Sequence, residues 1–156
     1  MRRVFILIFL SSLFWPPLLK AEEAIFRVGM TISMSGPFSQ EVGPFKDLVK
    51  TWQKRINQRG GMYIGSLRHK LEIVIYDDRS DQTAVRAAYE RLIRSDKADL
   101  LLGPYSSPLT FASSIPAEEM NKPFLAICGN SPKIYERGYK TLLGILDLAP
   151  NYTSNY

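Results

Sequence analysis

From residue 25 onward the chain alternates between two hydrophobic patterns. Ile25 to Ser33 is an apolar run closed by Ser35-Gly36-Pro37, and it predicts a buried strand. Pro44 to Arg59 changes to a helical period. Phe45, Leu48, Val49, Trp52 and Ile56 fall at i, i+3, i+4, i+7 and i+11, one stripe of a helix. Pro44 suits the first helical position, where a missing N–H costs nothing, and Gly60-Gly61 stops the helix. Leu71 to Tyr76 is rich in β-branched residues and predicts a second strand, ending in Asp77-Asp78. Ser80 or Asp81 then caps a helix with Val85, Ala88, Tyr89, Leu92 and Ile93 on its inner face. Arg86–Glu90 and Glu90–Arg94 are i, i+4 pairs on its wet side.

Leu100-Leu101-Leu102 has no polar face, so it predicts a short strand buried on both sides. Ser107 to Met120 predicts a third helix, bent or split at Pro116. Phe124 to Ile127 and Leu142 to Leu146 predict two further strands. Strand and helix in strict alternation predict an α/β fold: a parallel β-sheet with right-handed crossovers and helices on both faces. No repeat, low-complexity tract or linker interrupts residues 22–156, which read as one domain.

The first 21 residues follow neither pattern. Arg2 and Arg3 precede an eleven-residue apolar run, Val4 to Phe14, which Trp15-Pro16-Pro17 ends. A bilayer span needs about 20 residues, so the run reads as an export signal with cleavage near Ala21 rather than as an anchor. No cysteine follows that run, which excludes a lipid-modified amino terminus. The chain carries 20 Lys plus Arg against 15 Asp plus Glu, a net charge of +5. Removing Arg2, Arg3 and Lys20 with the head lowers +5 to +2. The basic character is therefore partly that of the leader, and nucleic acid is not an expected partner.

Cys128 and His69 are the only cysteine and histidine of the 156 residues. That excludes a disulfide framework and argues against a multi-cysteine metal site or a Ser-His-Asp triad. In a parallel sheet, ligands sit at the carboxyl ends of the strands. Four loops occupy that rim: 34–43, 77–81, 103–108 and 128–132. The first lacks Gly-x-Gly-x-x-Gly, and neither Gly-Lys-Ser/Thr nor Gly-x-Ser-x-Gly occurs in the chain. Asp77, Asp78 and Asp81 lack calcium-loop spacing and read as capping and solvation at the rim. His69 reads as an exposed loop residue, and Lys46, Lys50, Lys54 and Arg55 as a solvated helix face.

Five segments in order carry a resemblance. They are Ser35-Gly36-Pro37; Ile56-Asn57-Gln58-Arg59-Gly60-Gly61 with Gly65; Leu71 to Asp81; Gly103-Pro104-Tyr105-Ser106-Ser107; and Ile134-Tyr135-Glu136-Arg137-Gly138-Tyr139. Together they resemble the leucine/isoleucine/valine-binding family of type I periplasmic binding proteins, the substrate-binding subunits of ABC transporters. The resemblance implies a Rossmann-like lobe and a periplasmic location. It implies an amino acid or similar small carboxylate held in a cleft between two lobes, an inner-membrane ABC permease as partner, no cofactor and no enzymatic activity.

By the same resemblance, Ser107 contacts the ligand carboxylate, Cys128 offers main-chain groups and Asn130 its side chain or N–H, with Ser106 and Glu41 beside them. A helix amino terminus at Ser107 suits an anion; equally, Ser107 serves as a helix cap. Glu41 stands near the place where several amino-acid binders carry an aromatic, and it suits a cationic or hydroxylated ligand better than a bare aliphatic one. Members of the family are much longer and two-lobed, so the chain reads as a fragment of the amino-terminal lobe. A stand-alone exported flavodoxin-like domain with a sensory or protein-interaction role is the alternative.

Overall fold

The computed structural model describes residues 24–42 and 44–152, and the export signal read at residues 1–21 lies outside the described residues. Six strands form one sheet: β1 (Ala24–Ile32), β2 (Met62–Ile64), β3 (Leu67–Asp77), β4 (Leu100–Leu102), β5 (Phe124–Ala126) and β6 (Leu142–Gly144). Their order is β2-β3-β1-β4-β5-β6. β3, β1, β4, β5 and β6 run parallel, with Val28 opposite Ile73 on one side and Leu100 on the other. The α/β fold with a mostly parallel sheet is thus as the alternation predicts.

One strand departs from it. β2 pairs antiparallel with the start of β3, Met62 opposite His69. Gly65-Ser66 makes the two-residue hairpin turn, with Gly65 at φ 60°. β3 therefore begins at Leu67 rather than Leu71, and His69 lies within it, half-buried, rather than in a loop.

The period of two along β1 divides the core. Val28, Met30 and Ile32 join Leu71, Ile73 and Val49 of α2 (Phe45–Gln58) on one face. Gly29 points the other way, where an added Cβ would meet Leu92, Ala98 and Leu101 within about 3.2 Å. That opposite core is built by α3 (Gln82–Arg94) and α4 (Ser107–Glu119), with Val85, Tyr89, Leu92, Leu109 and Ala117 against Leu101 and Phe124. Asp81 caps α3 by accepting the Ala84 N–H at 2.7 Å. Of the two predicted ion pairs on this helix, Arg86–Glu90 forms at 3.3 Å.

Of the bend or split expected at Pro116, the split does not occur: α4 runs through Pro116 as one helix. The Pro116 ring removes one helical N–H, but tight packing against α3 holds the segment. Ser113 and Ser114 are buried and donate back to the Thr110 and Phe111 carbonyls. Pro44 stands at the amino cap of α2, one place before the position predicted for it.

α2 also protects an open edge. Beyond the short β2, the outer side of β3 has no strand neighbour among the described residues. Asn57 exchanges two hydrogen bonds of 2.8 Å with the Leu71 backbone, Gln53 accepts from the Ile73 N–H, and Lys50 Nζ donates to the Ile73 carbonyl at 2.9 Å. Polar side chains at i, i+3 and i+7 of α2 thus occupy groups that would otherwise template another strand. Lys50 is not merely solvated. On the other flank of α2 the apolar stripe is only half used: Leu48 and Trp52 remain 63% and 45% exposed, and Leu143 of β6 is 66% exposed.

Candidate functional site

Because β1, β3, β4 and β5 are parallel, the loops after them meet at one end of the sheet. Two adjacent carboxylates at the end of β3 clasp the first of these loops. Asp78 is fully buried and accepts from Thr31 Oγ1 at 2.7 Å, Ser33 Oγ at 2.5 Å and its own loop's Ser80 N–H at 2.9 Å. Asp77 accepts from the Met34 and Ser35 N–H groups, the Arg79 N–H and Ser35 Oγ, the last at 2.7 Å. Burial alone would raise the Asp77 pKa, but these four bonds outweigh it and hold the carboxyl below its ordinary value. The loops touch so closely at Gly36, φ 81°, that any Cβ there would strike the Arg79 carbonyl.

The clasp carries on to the next loop. Ser80 Oγ accepts the Phe38 N–H at 3.0 Å. Phe38 packs edge-on to Tyr105, ring centroids 5.5 Å apart, in the loop after β4. Ser106 follows as the amino cap of α4, but its side chain caps nothing, and its Oγ is buried without a hydrogen-bond partner.

Ser107 does not cap the helix either. Its Oγ accepts the N–H groups of Asn130 and Ser131 at 3.2 and 3.3 Å, and donates to Asn130 Oδ1 at 3.3 Å. The loop after β5 is pressed onto α4 at Gly129, where a Cβ would collide with Thr110 and Ile134. Tyr135 on α5 (Pro132–Tyr135) donates to the Gly129 carbonyl at 2.5 Å. The Ser107 hydroxyl thus stands among amide N–H groups on a packed frame at the start of α4.

The five residues singled out from the sequence do not converge on one hollow. Glu41, on α1 (Ser39–Val42), and Cys128 line a depression of about 640 Å³ with Val42, Phe45, Leu48 and Tyr105. Ser107 lines a second, of about 310 Å³, with Gln82, Phe111, Ser131 and Lys133. Asn130 joins them only through its bonds to Ser107. Burial pushes the Cys128 thiol up, away from the thiolate a nucleophile needs. Among the described residues, no three His, Cys, Asp or Glu side chains are grouped to hold a metal.

Tyr105 is a rim residue that sequence reasoning passed over; its signal was an aromatic in a glycine- and serine-rich strand-end loop. The buried role of Asp78 was also missed, since from sequence the acidic cluster reads as solvated capping. Only Asp81 caps a helix.

A family profile described as "Periplasmic binding protein" matches residues 26–141. The fold is similar to LivJ of Streptococcus pneumoniae, a branched-chain amino acid transporter substrate-binding protein solved with isoleucine. The TM-score is 0.69 at 18% identity, over 80% of this chain and 34% of that one. The leucine-binding protein LivK of Thermotoga maritima gives 0.66 at 21% identity, over 81% and 34%. An ABC-transporter solute-binding protein of Rhodopseudomonas palustris, solved with 3,4-dihydroxybenzoic acid, gives 0.65 at 21% identity, over 80% and 32%. The chain spans about a third of the length of each of these structures.

Proposed function

The chain belongs to the periplasmic binding protein family, and from that premise we propose that it supplies the carboxylate-contacting rim of an exported solute-binding subunit of an ABC importer. The ligand is an amino acid or a related small carboxylate. The partner is an inner-membrane permease. The observation that carries this reading is the Ser107 hydroxyl, set at the start of α4 between the N–H groups of Asn130 and Ser131.

The physics of binding follows from those bonds. At 3.2–3.3 Å they sit at or beyond the long end of the ordinary range. The hydroxyl proton is therefore held loosely by Asn130 Oδ1. A carboxylate oxygen can take it in a shorter, charge-assisted bond, while the amino end of α4 adds its dipole. Cys128 contributes main-chain groups, not chemistry, and nothing in this rim requires a cofactor. Ser106, whose Oγ is buried and unpartnered, is a second hydroxyl beside Ser107. Glu41 lines the larger, separate depression, where a carboxylate suits a hydroxyl or ammonium group. The relatives solved with isoleucine and with 3,4-dihydroxybenzoic acid both hold a molecule that ends in a carboxyl group, which supports a carboxylate as the common feature.

The test is an NMR titration of the chain with leucine and with benzoate. A two-lobe site of about 1 μM is worth roughly −8.2 kcal/mol, so one lobe supplying half gives millimolar affinity. Ser107→Ala should weaken carboxylate binding by about 1–3 kcal/mol. Equal affinity in wild type and variant would leave Ser107 a structural tie between α4 and the β5 loop. A chain indifferent to every small solute would favour the stand-alone interaction domain.

A further inference from the structure

The smaller depression has a chemistry of its own. Its polar lining is entirely donor or neutral: the Gln82 amide, the Ser107 and Ser131 hydroxyls and the Lys133 ammonium. No acidic side chain lines it. Lys133 forms none of the ion pairs found among the described residues, so its charge is not already neutralised. The remaining wall is hydrocarbon, with Phe111 37% exposed beside the buried Ile134.

Phe111 is held as a flat, fixed surface. The Arg137 guanidinium lies 3.9 Å from its ring centroid. Arg137 is itself anchored by the Phe111 carbonyl at 3.1 Å, the Ile134 carbonyl at 3.2 Å and Ser114 Oγ at 2.6 Å. It is also stacked on Tyr139 at 4.2 Å. A cation bound to one face of a ring draws on the ring's negative quadrupole, which eases the stacking of a second ring on the remaining surface. It also places a second positive charge close to the depression.

We propose that this depression, between α4 and α5, is a specificity subsite for an anion on a planar apolar body, with Lys133 pairing the negative group and Phe111 receiving the ring. The assignment rests on the carboxylate-binding reading of the rim and narrows it. An aryl carboxylate carries net negative charge and satisfies the depression. A zwitterionic amino acid brings an ammonium that Lys133 and Arg137 repel, and its aliphatic side chain gains less from the Phe111 ring. Ser107 contributes to both readings; Lys133 and Phe111 belong to this one alone. A volume of about 310 Å³ is at the lower end for small-molecule sites and suits a single ring with its carboxylate.

The experiment titrates the ¹⁵N-labelled chain with benzoate, leucine and acetate, in wild type, Lys133→Gln, Lys133→Glu and Ser107→Ala. Lys133 is exposed, so its substitutions leave the fold intact. The expected result is tighter binding of benzoate than of acetate or leucine, with shifts at Phe111, Ser131 and Lys133. Lys133→Gln should weaken benzoate about fivefold and leave leucine no weaker, since it removes a charge that repels the ammonium, and Lys133→Glu should weaken benzoate further. Raised salt should reduce the difference between wild type and Lys133→Gln. If Ser107→Ala weakens benzoate while Lys133→Gln does not, the rim binds carboxylates and the subsite is wrong. If benzoate and leucine both leave the rim amides unmoved, the carboxylate reading fails and the subsite with it.

Discussion

Removing the Asp78 carboxylate should unlock the binding rim. Asp78 is fully buried and satisfies three donors: Thr31 Oγ1, Ser33 Oγ and the Ser80 N–H. In Asp78→Ala the two hydroxyls can turn toward other acceptors, but the backbone N–H cannot. One stranded donor costs about 1–3 kcal/mol, and the loss of charge-assisted bonds with an unfilled space raises the total to about 2–4 kcal/mol. For a domain of this size that is a fall in Tm of roughly 10 °C. Asp78→Asn separates the causes. Its carbonyl oxygen can keep the bonds to Ser33 and Ser80, and its amide can face Thr31 Oγ1, which then accepts. The asparagine variant should therefore recover more than half of the lost stability. Thermal melts followed by circular dichroism at pH 7 read both numbers. If Asp78→Ala melts within about 2 °C of wild type, the clasp does not hold the loops together. If asparagine is as damaging as alanine, the geometry assigned to the two oxygens is wrong.

Acid should loosen the neighbouring clasp: the Asp77 carboxyl is held below its ordinary value in the fold, so its contribution is present above the unfolded value and disappears as pH falls through the folded one. Melts below about pH 4 should show that loss, and Asp77→Asn should flatten it. Expression in a Gram-negative host should give a soluble periplasmic product beginning near residue 22, read by mass spectrometry; an uncleaved, membrane-extracted chain would count against export. Leu48, Trp52, Leu143 and Ile145 stay 45–66% exposed, so the folded chain should bind an apolar fluorescent dye, and Leu143→Lys should reduce that signal while moving stability by no more than about 0.5 kcal/mol. An unchanged dye signal would place the apolar surface elsewhere.

The parts legible in the sequence were those with a single periodic cause. β1, β3, α2 and α3 follow from runs and stripes of apolar residues, and the rim loops follow from parallel strand order. The β2 hairpin escaped because Met62-Tyr63-Ile64 is too short to show a period, and Gly60-Gly61 beside it reads as a helix stop. The edge-capping role of Lys50, Gln53 and Asn57 was hidden for another reason. Polar residues on a helix look solvated until the strand they serve is known to be an edge. The continuity of α4 through Pro116 was not legible because helix propensity is local, whereas the α3–α4 packing that holds the segment is tertiary.

The candidate site was legible as a set of loops but not as a geometry. Glu41 and Ser107 belong to adjacent elements of the rim, yet they line different hollows, because Tyr105 and the β5 loop decide which side chains share a wall. Ser107 looked like a cap from its position. The backbone gives that place to Ser106 and turns the Ser107 hydroxyl toward Asn130 and Ser131.

The central claim is that a carboxylate is received at the start of α4. Amide chemical-shift mapping of the ¹⁵N-labelled chain, titrated with a small carboxylate to about 20 mM, tests it most directly, since one lobe is expected to bind in the millimolar range. The amides of Ser107, Asn130 and Ser131 should move together along one saturating curve. Shifts confined to other parts of the chain, or none at these three amides, would contradict it.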